Sequence, residues 1–382
     1  MLSYNIVAGL IVGFGIASTV VGCETDDDCS LNGVCNEESV CECDPGWRSE
    51  DCGVLDLLPA TRGTGYNYTT ANLPDYYSDR GNSSWGGQVI QDREDPTLFH
   101  LIVDQFAKGC GLPSWRPFSF IIRGESRTGP AGPYHFAQEV APSFRHNADV
   151  IWSPFDEKYL LYSIGKDFDL PTKCGSQKFT NEISVASADN IRGPWSSFTT
   201  VVTSTNPAPF PLYSKCNKTA EIALAVGNNR IWFGDKADGT YEVIKDQEYD
   251  DGRESPYWTE DPFLWRDKRG NWHILCHWMI DHVEDDVAYP RVGAHLFSRS
   301  LSGDWTLKLQ TAFTSEIEFT DGTKQLYKRR ERPKMFLSDD GNLTPLYLTT
   351  GVQEFDTNTA YTVIQPIGQA SVEFEKELGF SE

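Results

Sequence analysis

The chain has 382 residues, of which 39% are hydrophobic and 23% charged, a composition typical of a globular protein with one large domain and one small one. Its formal net charge of −22 argues against a nucleic-acid partner, because phosphate binding requires clustered Lys and Arg. Aromatic residues make up 13% of the chain; most fit core packing, and such rings also stack on sugars.

The first predicted element is an apolar N-terminal segment. Residues 1–22 carry no charged side chain, and residues 6–22 are almost entirely apolar with small residues near the end. This pattern predicts a secretory signal peptide over 1–22, or a short signal anchor. A lipoprotein site at Cys23 is a further alternative. The protein is therefore expected to be secreted, or membrane-tethered if the segment is not cleaved.

A cluster of cysteines follows directly. Six of the ten cysteines lie within residues 23–52, a stretch too short to bury a core, so disulfides are expected to hold it together. Spacing alone leaves fifteen pairings open. A zinc site does not fit, because His residues at matching spacing are missing.

The cluster resembles an epidermal-growth-factor-like (EGF-like) module over 23–52. The resemblance rests on the close pair Cys41 and Cys43, followed by Pro45-Gly46-Trp47 and Cys52, although Ser49 stands where Gly is usual. It implies the pairs Cys23–Cys35, Cys29–Cys41 and Cys43–Cys52. It implies no calcium site, since Val20-Val21-Gly22 stand where calcium-binding modules carry acids. Such a module is a candidate contact for an extracellular protein.

The remaining cysteines and the glycosylation sequons are scattered. Cys110 and Cys174 lie in glycine-containing loops and are predicted to form a disulfide, whereas Cys276 is expected to be a buried thiol and Cys216 has no assigned partner. Four Asn-x-Ser/Thr sequons predict N-glycosylation and fit the secretory route: Asn67, Asn82, Asn217 and Asn342.

A repeated unit dominates the rest of the chain. Its first strand begins at a small or proline anchor, and the anchors stand 55 to 71 residues apart, at Gly87, Ala148, Pro207, Pro262 and Pro333. A second apolar strand follows each, as in FHLIV (99–103) and KYLLYS (158–163). Four units then show a third strand and a Gly-x-aromatic turn, at Gly132, Gly193, Gly239 and Gly303.

Five units of about four short strands predict an all-β fold, a five-bladed β-propeller over 81–382, with 53–80 as a linker or closing strand. A β-sandwich is the alternative, but sandwiches do not repeat motif pairs in order. In a propeller the starts of the first strands and the ends of the second strands meet at one face of the central channel. The blade fronts should therefore form a polar pocket.

Carboxylates at such fronts resemble those of glycoside hydrolase family 43 and its arabinanase, levansucrase and invertase relatives. The motifs are HNADVIWSPFDEKYLLYS (146–163), TEDPFLWRDKRGNWHIL (259–275) and RRERPKMFLSDDGN (329–342). The resemblance implies inverting hydrolysis of a glycoside. It also implies a base Asp in the first blade, a pKa-tuning Asp in the second and an acid Glu in the third.

The chain departs from that pattern. The first blade offers Gly86-Gly87-Gln88 and the third Asn206-Pro207, neither with an acid, while Asp149 matches the tuning position. The Glu-x-Pro pattern of the acid recurs at Glu260 and Glu331. We therefore expect Glu260 to be the acid, with a pKa raised by nearby carboxylates, and Asp261 or Asp149 to be the base. Glu331 is a further candidate, or an ion-pair partner of its flanking arginines.

Other residues at the fronts are candidates for sugar binding: His146, Asn147, Asn206, Arg330, Arg332 and Trp85, with Trp115 and Trp258 as further rings. Because Glu260 and Asp261 are neighbours on a strand, their side chains are expected to point to opposite sides. No cofactor and no metal is expected, and His146 and His277 are interpreted as core histidines. Three functions remain open: a glycosidase, a non-catalytic carbohydrate-binding or adhesion protein, and a purely structural protein, which would have no pocket at the channel face. The partner in the first two is a carbohydrate.

Overall fold

The computed structural model describes residues 22–66, 83–212, 220–246, 259–279, 281–284, 287–290, 292–308 and 310–381. Several features predicted from the sequence lie outside these ranges: residues 1–21, the second half of the linker (67–80), Asn67, Asn82, Asn217, Cys216 and Trp258. No helix within the described ranges is long and apolar enough to cross a membrane.

The N-terminal cysteine cluster forms two small antiparallel pairs of strands, β1 Gly33–Cys35 with β2 Cys41–Cys43, and β3 Trp47–Arg48 with β4 Val54–Leu55. Its disulfides join the three pairs that the EGF-like resemblance implied: Cys23–Cys35, Cys29–Cys41 and Cys43–Cys52. They fit a small disulfide-rich module. The predicted Cys110–Cys174 bridge is also present, and Cys276 is a buried free thiol.

Five antiparallel sheets follow in chain order within the described residues, which confirms the five-bladed β-propeller. The first two blades comprise β5 Ser84–Gln91, β6 Phe99–Phe106, β7 Ser119–Ser126, β8 His135–Ala141, β9 Arg145–Ser153, β10 Lys158–Gly165, β11 Ile183–Ala188 and β12 Thr199–Val202. The third blade comprises β13 Ala208–Leu212, β14 Glu221–Ala225, β15 Ile231–Gly234 and β16 Tyr241–Lys245.

The fourth blade pairs β17 Thr259–Arg266, β18 Trp272–Trp278, β21 Gly293–Ser298 and β22 Thr306–Leu307, with the hairpin β19 Asp281–Glu284 and β20 Val287–Pro290 inserted. A second hairpin, β23 Glu316–Glu318 and β24 Lys324–Leu326, precedes the fifth blade of β25 Arg329–Leu337, β26 Pro345–Gln353 and β27 Ala360–Pro366. The α-helices described are a single turn, α1 Trp115–Phe118, and the C-terminal α2 Gly368–Glu377.

The hydrophobic core is divided among the gaps between neighbouring blades. Between blades two and three, for example, Leu160 and Tyr162 pack against Ile222 and Leu224. The second strand of a blade lies inside its sheet and is buried along its length, which explains apolar runs such as FHLIVDQF in β6.

A left-handed residue precedes the anchor of every blade. The φ angles are 63°, 58°, 54°, 55° and 59° at Gly86, Asn147, Asn206, Asp261 and Arg332. In four blades the pairing of the first two strands shifts register at this point, which is a β-bulge. At Gly86 a Cβ would come within 3.1 Å of the Arg332 side chain, so glycine permits close approach of the fifth blade. The bulges turn the side chains of the blade fronts toward the channel.

The segment that follows the small module, at Leu57 and Leu58, lies along the outer edge of the fifth blade. Leu57 forms an antiparallel bridge with Ile367, and the N–H of Leu58 donates to the carbonyl of Pro366 at 2.9 Å. This segment therefore borders the three-stranded fifth sheet on its open side. The small module itself packs on the fourth blade, where Trp47 stacks on Trp265 with ring centroids 6.4 Å apart.

Candidate functional site

The blade fronts surround a pocket of about 360 Å³, called here the front pocket. Its walls carry three carboxylates, several cations and amides, and two tryptophans. The lining residues are Trp85, Leu112, Pro113, Trp115, Arg116, His146, Asn181, Thr205, Asn206, Glu260, Asp261, Lys328, Arg329, Glu331, Arg332, Gln353 and Asn358.

A chain of polar contacts links the left-handed residues of four blades. The amide of Asn147 donates to Asn206 Oδ1 at 2.5 Å, and the amide of Asn206 donates to Asp261 Oδ1 at 2.7 Å. Arg332 Nε lies 3.5 Å from the same Asp261 oxygen. Three of these residues line both the front pocket and a smaller space beneath it: Asn206, Asp261 and Arg332. The linked side chains therefore form the floor of the front pocket.

Glu260 and Asp261 both line the front pocket, contrary to the expectation from strand alternation. Asp261 has a φ of 55°, so the bulge brings the two carboxylates to the same side. One oxygen from each, together with a ring nitrogen of His277, lie within 4.8 Å of one another. Consecutive acids in β17 therefore form one cluster.

The two carboxyls differ in proton affinity. Burial, and then the negative charges of Asp261 and Glu331, raise the pKa of Glu260 above its ordinary value. Burial would also raise the pKa of Asp261, but Arg332 and His277 outweigh it and hold that pKa below the usual range. The cluster thus pairs a carboxyl with a raised pKa, Glu260, and a carboxyl with a lowered pKa, Asp261.

Glu331 lies on the far side of His277. Its Oε1 accepts a hydrogen bond from Arg329 Nη1 at 3.1 Å and lies 3.9 Å from His277 Nε2. His277 Nδ1 is 3.8 Å from Asp261 Oδ2. The imidazole therefore stands between carboxylates of the fourth and fifth blades.

His277 is fully buried, and neither ring nitrogen has a hydrogen-bond partner among the described residues. Two carboxylates and an imidazole are a donor set that divalent cations accept. Glu260, Asp261 and His277 are therefore the residues that could hold a cation in this pocket. A water bridging the acids is the other group that fits.

Asp104, at the end of β6, supports the pocket floor. It accepts a hydrogen bond from the backbone N–H of Asn147 at 2.8 Å, and Arg332 Nη1 lies 3.3 Å from it. His146 Nδ1 is 3.1 Å from Asp104, and its Nε2 accepts from Arg332 Nη2 at 3.0 Å. Burial, and then Arg332, lower the pKa of His146 to about 4, so the ring is neutral.

Trp115 lies in the wall beside His146. The two rings stack with centroids 4.4 Å apart, and the Arg116 guanidinium carbon lies 4.1 Å from the tryptophan centroid. Much of the indole surface is therefore already covered by protein. Trp85 is only 2% exposed, so it offers little ring surface for stacking on a sugar.

Several candidates from the sequence do not line the front pocket. Asp149 is buried in the channel, where Lys334 donates to it, and burial raises the pKa of Asp149. Arg330 is 1% exposed, and its guanidinium donates to Gln365 Oε1 at 2.7 Å and to the carbonyl of Thr314 at 3.0 Å. Asn147 lines the small space beneath the floor.

Residues that the sequence did not single out complete the walls. Gln353 is the last residue of the second strand of the fifth blade and pairs with Arg329. The position of Asp104 and His277 is taken in this blade by Gly351, so the repeat does not mark Gln353. Arg116 and Asn181 come from the β6–β7 and β10–β11 connections and join by a 2.8 Å hydrogen bond. Nothing in the repeat marks those two, because they lie outside the strands.

No family model and no curated protein matches the chain. Several solved structures do. The GH43 protein of Bacillus licheniformis is 11% identical with a TM-score of 0.48, covering 76% of this chain and 54% of that one. The native arabinanase of Bacillus subtilis is 14% identical with a TM-score of 0.46, covering 75% of this chain and 96% of that one. An exo-1,5-alpha-L-arabinanase from a bovine ruminal metagenomic library is 13% identical with a TM-score of 0.47, covering 75% of this chain and 94% of that one. This chain spans about half the length of the B. licheniformis protein. At these identities the likeness concerns the fold.

Proposed function

We propose that the front pocket binds a carbohydrate and hydrolyses a glycosidic bond, with Glu260 as the proton donor. The observation that carries this proposal is the cluster of Glu260 with Asp261 and Glu331 in the lining of the front pocket. Burial and the two neighbouring charges raise the pKa of Glu260, as a general acid requires. Glu260 gives its proton to the leaving oxygen as the bond to the anomeric carbon breaks.

Glu331 is the partner base in this proposal. Inverting glycosidases hold their two carboxyls about 6.5–9.5 Å apart so that a water fits between substrate and base. Asp261 has an oxygen within 4.8 Å of one of Glu260, which leaves no such room, and its Oδ1 is occupied by Asn206. Glu331, on the other side of His277, accepts the proton of the water that attacks the anomeric carbon.

The pocket walls suit a hydroxyl-rich ligand. The amides of Asn181, Gln353 and Asn358 line it and can both donate to and accept from sugar hydroxyls. Lys328 and Arg116 add donors at the walls. The front pocket therefore contains both amides that can bind sugar hydroxyls and carboxyl groups that can cleave a glycosidic bond.

A second candidate is carbohydrate binding without hydrolysis. It is favoured by the first blade, whose front offers Gly86 and Gly87 where the glycosidase pattern places a base. Asp104, the acid nearest that front, is already engaged by Asn147 and Arg332. Under this reading the pocket recognises a glycan and the carboxylates only orient its hydroxyls.

A glycan screen on the full-length protein tests both candidates, with binding and released reducing sugar measured together. The wild type is compared with Glu260→Gln, which keeps the shape but cannot donate the proton, and with the control Glu37→Gln on the exposed side of the small module. Turnover that is lost in Glu260→Gln alone supports hydrolysis. Binding without turnover in all three proteins supports the second candidate.

The same proposal places the protein in the secretory pathway. Disulfides form and persist in oxidising compartments, and the described residues hold four. Asn342 is exposed in a turn and accessible to a glycan. The small module also leaves Val34 and Val40 exposed, at 37% and 57%, as a contact for an extracellular protein. Glycosidase F treatment followed by mass analysis tests the glycan: the absence of any mass shift would contradict it.

A further inference from the structure

The opposite end of the channel holds a second, larger cavity of about 710 Å³, called here the back cavity. Its walls are formed by the later halves of the five inner strands and by α2. Representative lining residues are Ile90, Trp152, Phe210, Trp265, Leu337 and Phe374. Because all five blades contribute, the cavity is a feature of the channel rather than of one loop.

The walls of the back cavity are mostly apolar and partly exposed. Ile90, Trp152, Phe210, Phe336 and Leu337 are each half-buried. A concave apolar surface left in water is unfavourable and marks a ligand site. The volume falls in the range of about 300–1,000 Å³ that is usual for small-molecule sites.

Asp149 is a buried carboxylate in the lining of the cavity, which also includes the polar residues Gln88, Gln91, Asp92, Arg93, Tyr159, Ser338 and Asp339. The Oδ2 atom of Asp149 accepts a hydrogen bond from Lys334. Lys334 also donates to the carbonyl of Pro262 at 3.1 Å. Within the described residues the other oxygen, Oδ1, accepts no hydrogen bond. Asp149 thus offers the cavity an acceptor oxygen, and Lys334 already compensates the charge of this carboxylate.

The back cavity is separate from the front pocket. Lys334 lines the small space beneath the front pocket, while its partner Asp149 lines the back cavity. The ion pair therefore divides the channel. The front pocket and the back cavity have no lining residue in common.

We propose that the back cavity binds a neutral, mostly apolar molecule that carries one N–H or O–H donor. Its rings or alkyl groups lie against Phe210 and Phe336, and its donor bonds to Asp149 Oδ1. The ligand is neutral because Lys334 already balances the charge of Asp149.

The probe for the test is N-phenyl-1-naphthylamine, a neutral aromatic amine with one N–H whose fluorescence rises in apolar surroundings. Titration into the full-length protein should give saturable binding at one site per chain. The N-methylated analogue lacks the donor and should bind about fivefold to tenfold more weakly, as for loss of one hydrogen bond. Equal affinities of the two probes would overturn the role of Asp149.

Three variants locate the site. Ile90→Trp and Leu337→Trp fill the cavity from different walls and should abolish saturable binding, with folding checked by circular dichroism. Asp149→Asn keeps an oxygen for Lys334 but turns an amide donor to the cavity, so it should remove the difference between the two probes. Phe355→Ala is the control, because Phe355 is a 50% exposed aromatic outside the cavity. Probe binding that survives both cavity-filling variants, or that Phe355→Ala abolishes, would overturn the proposal.

Discussion

Lys334 of β25 donates a hydrogen bond to the carboxylate of Asp149 in β9, across the centre of the channel. Both side chains are buried, at 9% and 3% exposure, so each charge depends on the other for compensation. Burial raises the pKa of Asp149 in spite of Lys334, which shows how strongly the site is desolvated. The pair holds the second and fifth blades together at mid-channel.

Lys334→Met should therefore lower the free energy of unfolding by about 3–5 kcal/mol, because it leaves a buried carboxylate without a cation. The double variant Lys334→Met with Asp149→Leu should recover most of this loss, since no buried charge remains. Urea denaturation of the wild type, the single variant and the double variant measures both values. A single variant as stable as the wild type would show that Asp149 is compensated by something other than Lys334.

The repeat in the sequence predicted the blades because strand pairs and Gly-x-aromatic turns depend on local backbone preferences. Reasoning from local backbone geometry gave the wrong directions for the two acidic side chains of β17. Alternation predicts that Glu260 and Asp261 diverge, but the left-handed backbone at Asp261 brings them together. The left-handed conformation is uncommon for non-glycine residues, although Asp and Asn adopt it more readily than most. At Asp261 it is accompanied by the contacts with Asn206 and Arg332, which join different blades and are not visible in the local sequence.

Contacts between distant segments explain what else the sequence could not predict. Arg330 and Arg332 are two residues apart, yet Arg330 lies in the interior while Arg332 lines the front pocket, because the bulge at Arg332 separates their directions. Arg116 and Asn181 meet only because their loops are held side by side, with Cys110 bonded to Cys174. The Cys110–Cys174 disulfide was predictable because both cysteines lie in glycine-containing loops. The positions of Arg116 and Asn181 in the pocket were not predictable, because they depend on how these loops fold.

Acidification should destabilise the fold through His146. Burial and Arg332 lower its pKa to about 4 in the folded protein, against 6.5 in the unfolded chain. Between these values the unfolded chain binds a proton that the folded protein does not. The free energy of unfolding therefore falls as the pH falls from 6.5 to about 4, by about 3 kcal/mol for this residue. His273 and His295, whose pKa values are also lowered by burial, act in the same direction.

Urea denaturation at pH 7, 6 and 5 measures this slope. His146→Gln removes the titrating group and should show a smaller loss between pH 7 and pH 5, whatever its stability at pH 7. A stability that is constant across this range in the wild type would mean that His146 is protonated or exposed in the folded protein.

Trp47 should anchor the small module to the propeller. It is 7% exposed, stacks on Trp265 and lies 5.0 Å from the His295 ring, and Arg269 beside it binds Asp44 of the module. Trp47→Ala should lower the free energy of unfolding by about 3–5 kcal/mol, as for a buried large aromatic. Val40→Ala is the control, since Val40 is exposed on the same module. If thermal melts and limited proteolysis give equal results for the two variants, the module is not anchored through Trp47.

The proposed acid predicts the alkaline side of the pH–rate profile. Glu260 must hold its proton, so kcat/KM should fall as the pH rises through its raised pKa. Asp261→Asn removes one of the negative charges that raise this pKa. The alkaline limb of the profile should therefore move to lower pH in this variant, while a merely structural role for Asp261 would lower kcat/KM equally at every pH.

The measurement is a pH profile of reducing-sugar release on whichever glycan the screen identifies, for the wild type and Asp261→Asn. Glu331→Gln provides the comparison: it removes the base and should reduce kcat at all pH values, and loss of its charge should also shift the alkaline limb downward. Azide or another small nucleophile would then test the base directly, because it can replace the activated water in Glu331→Gln and cannot replace the proton from Glu260. An alkaline limb that stays at the same pH in both variants would show that a group other than Glu260 donates the proton.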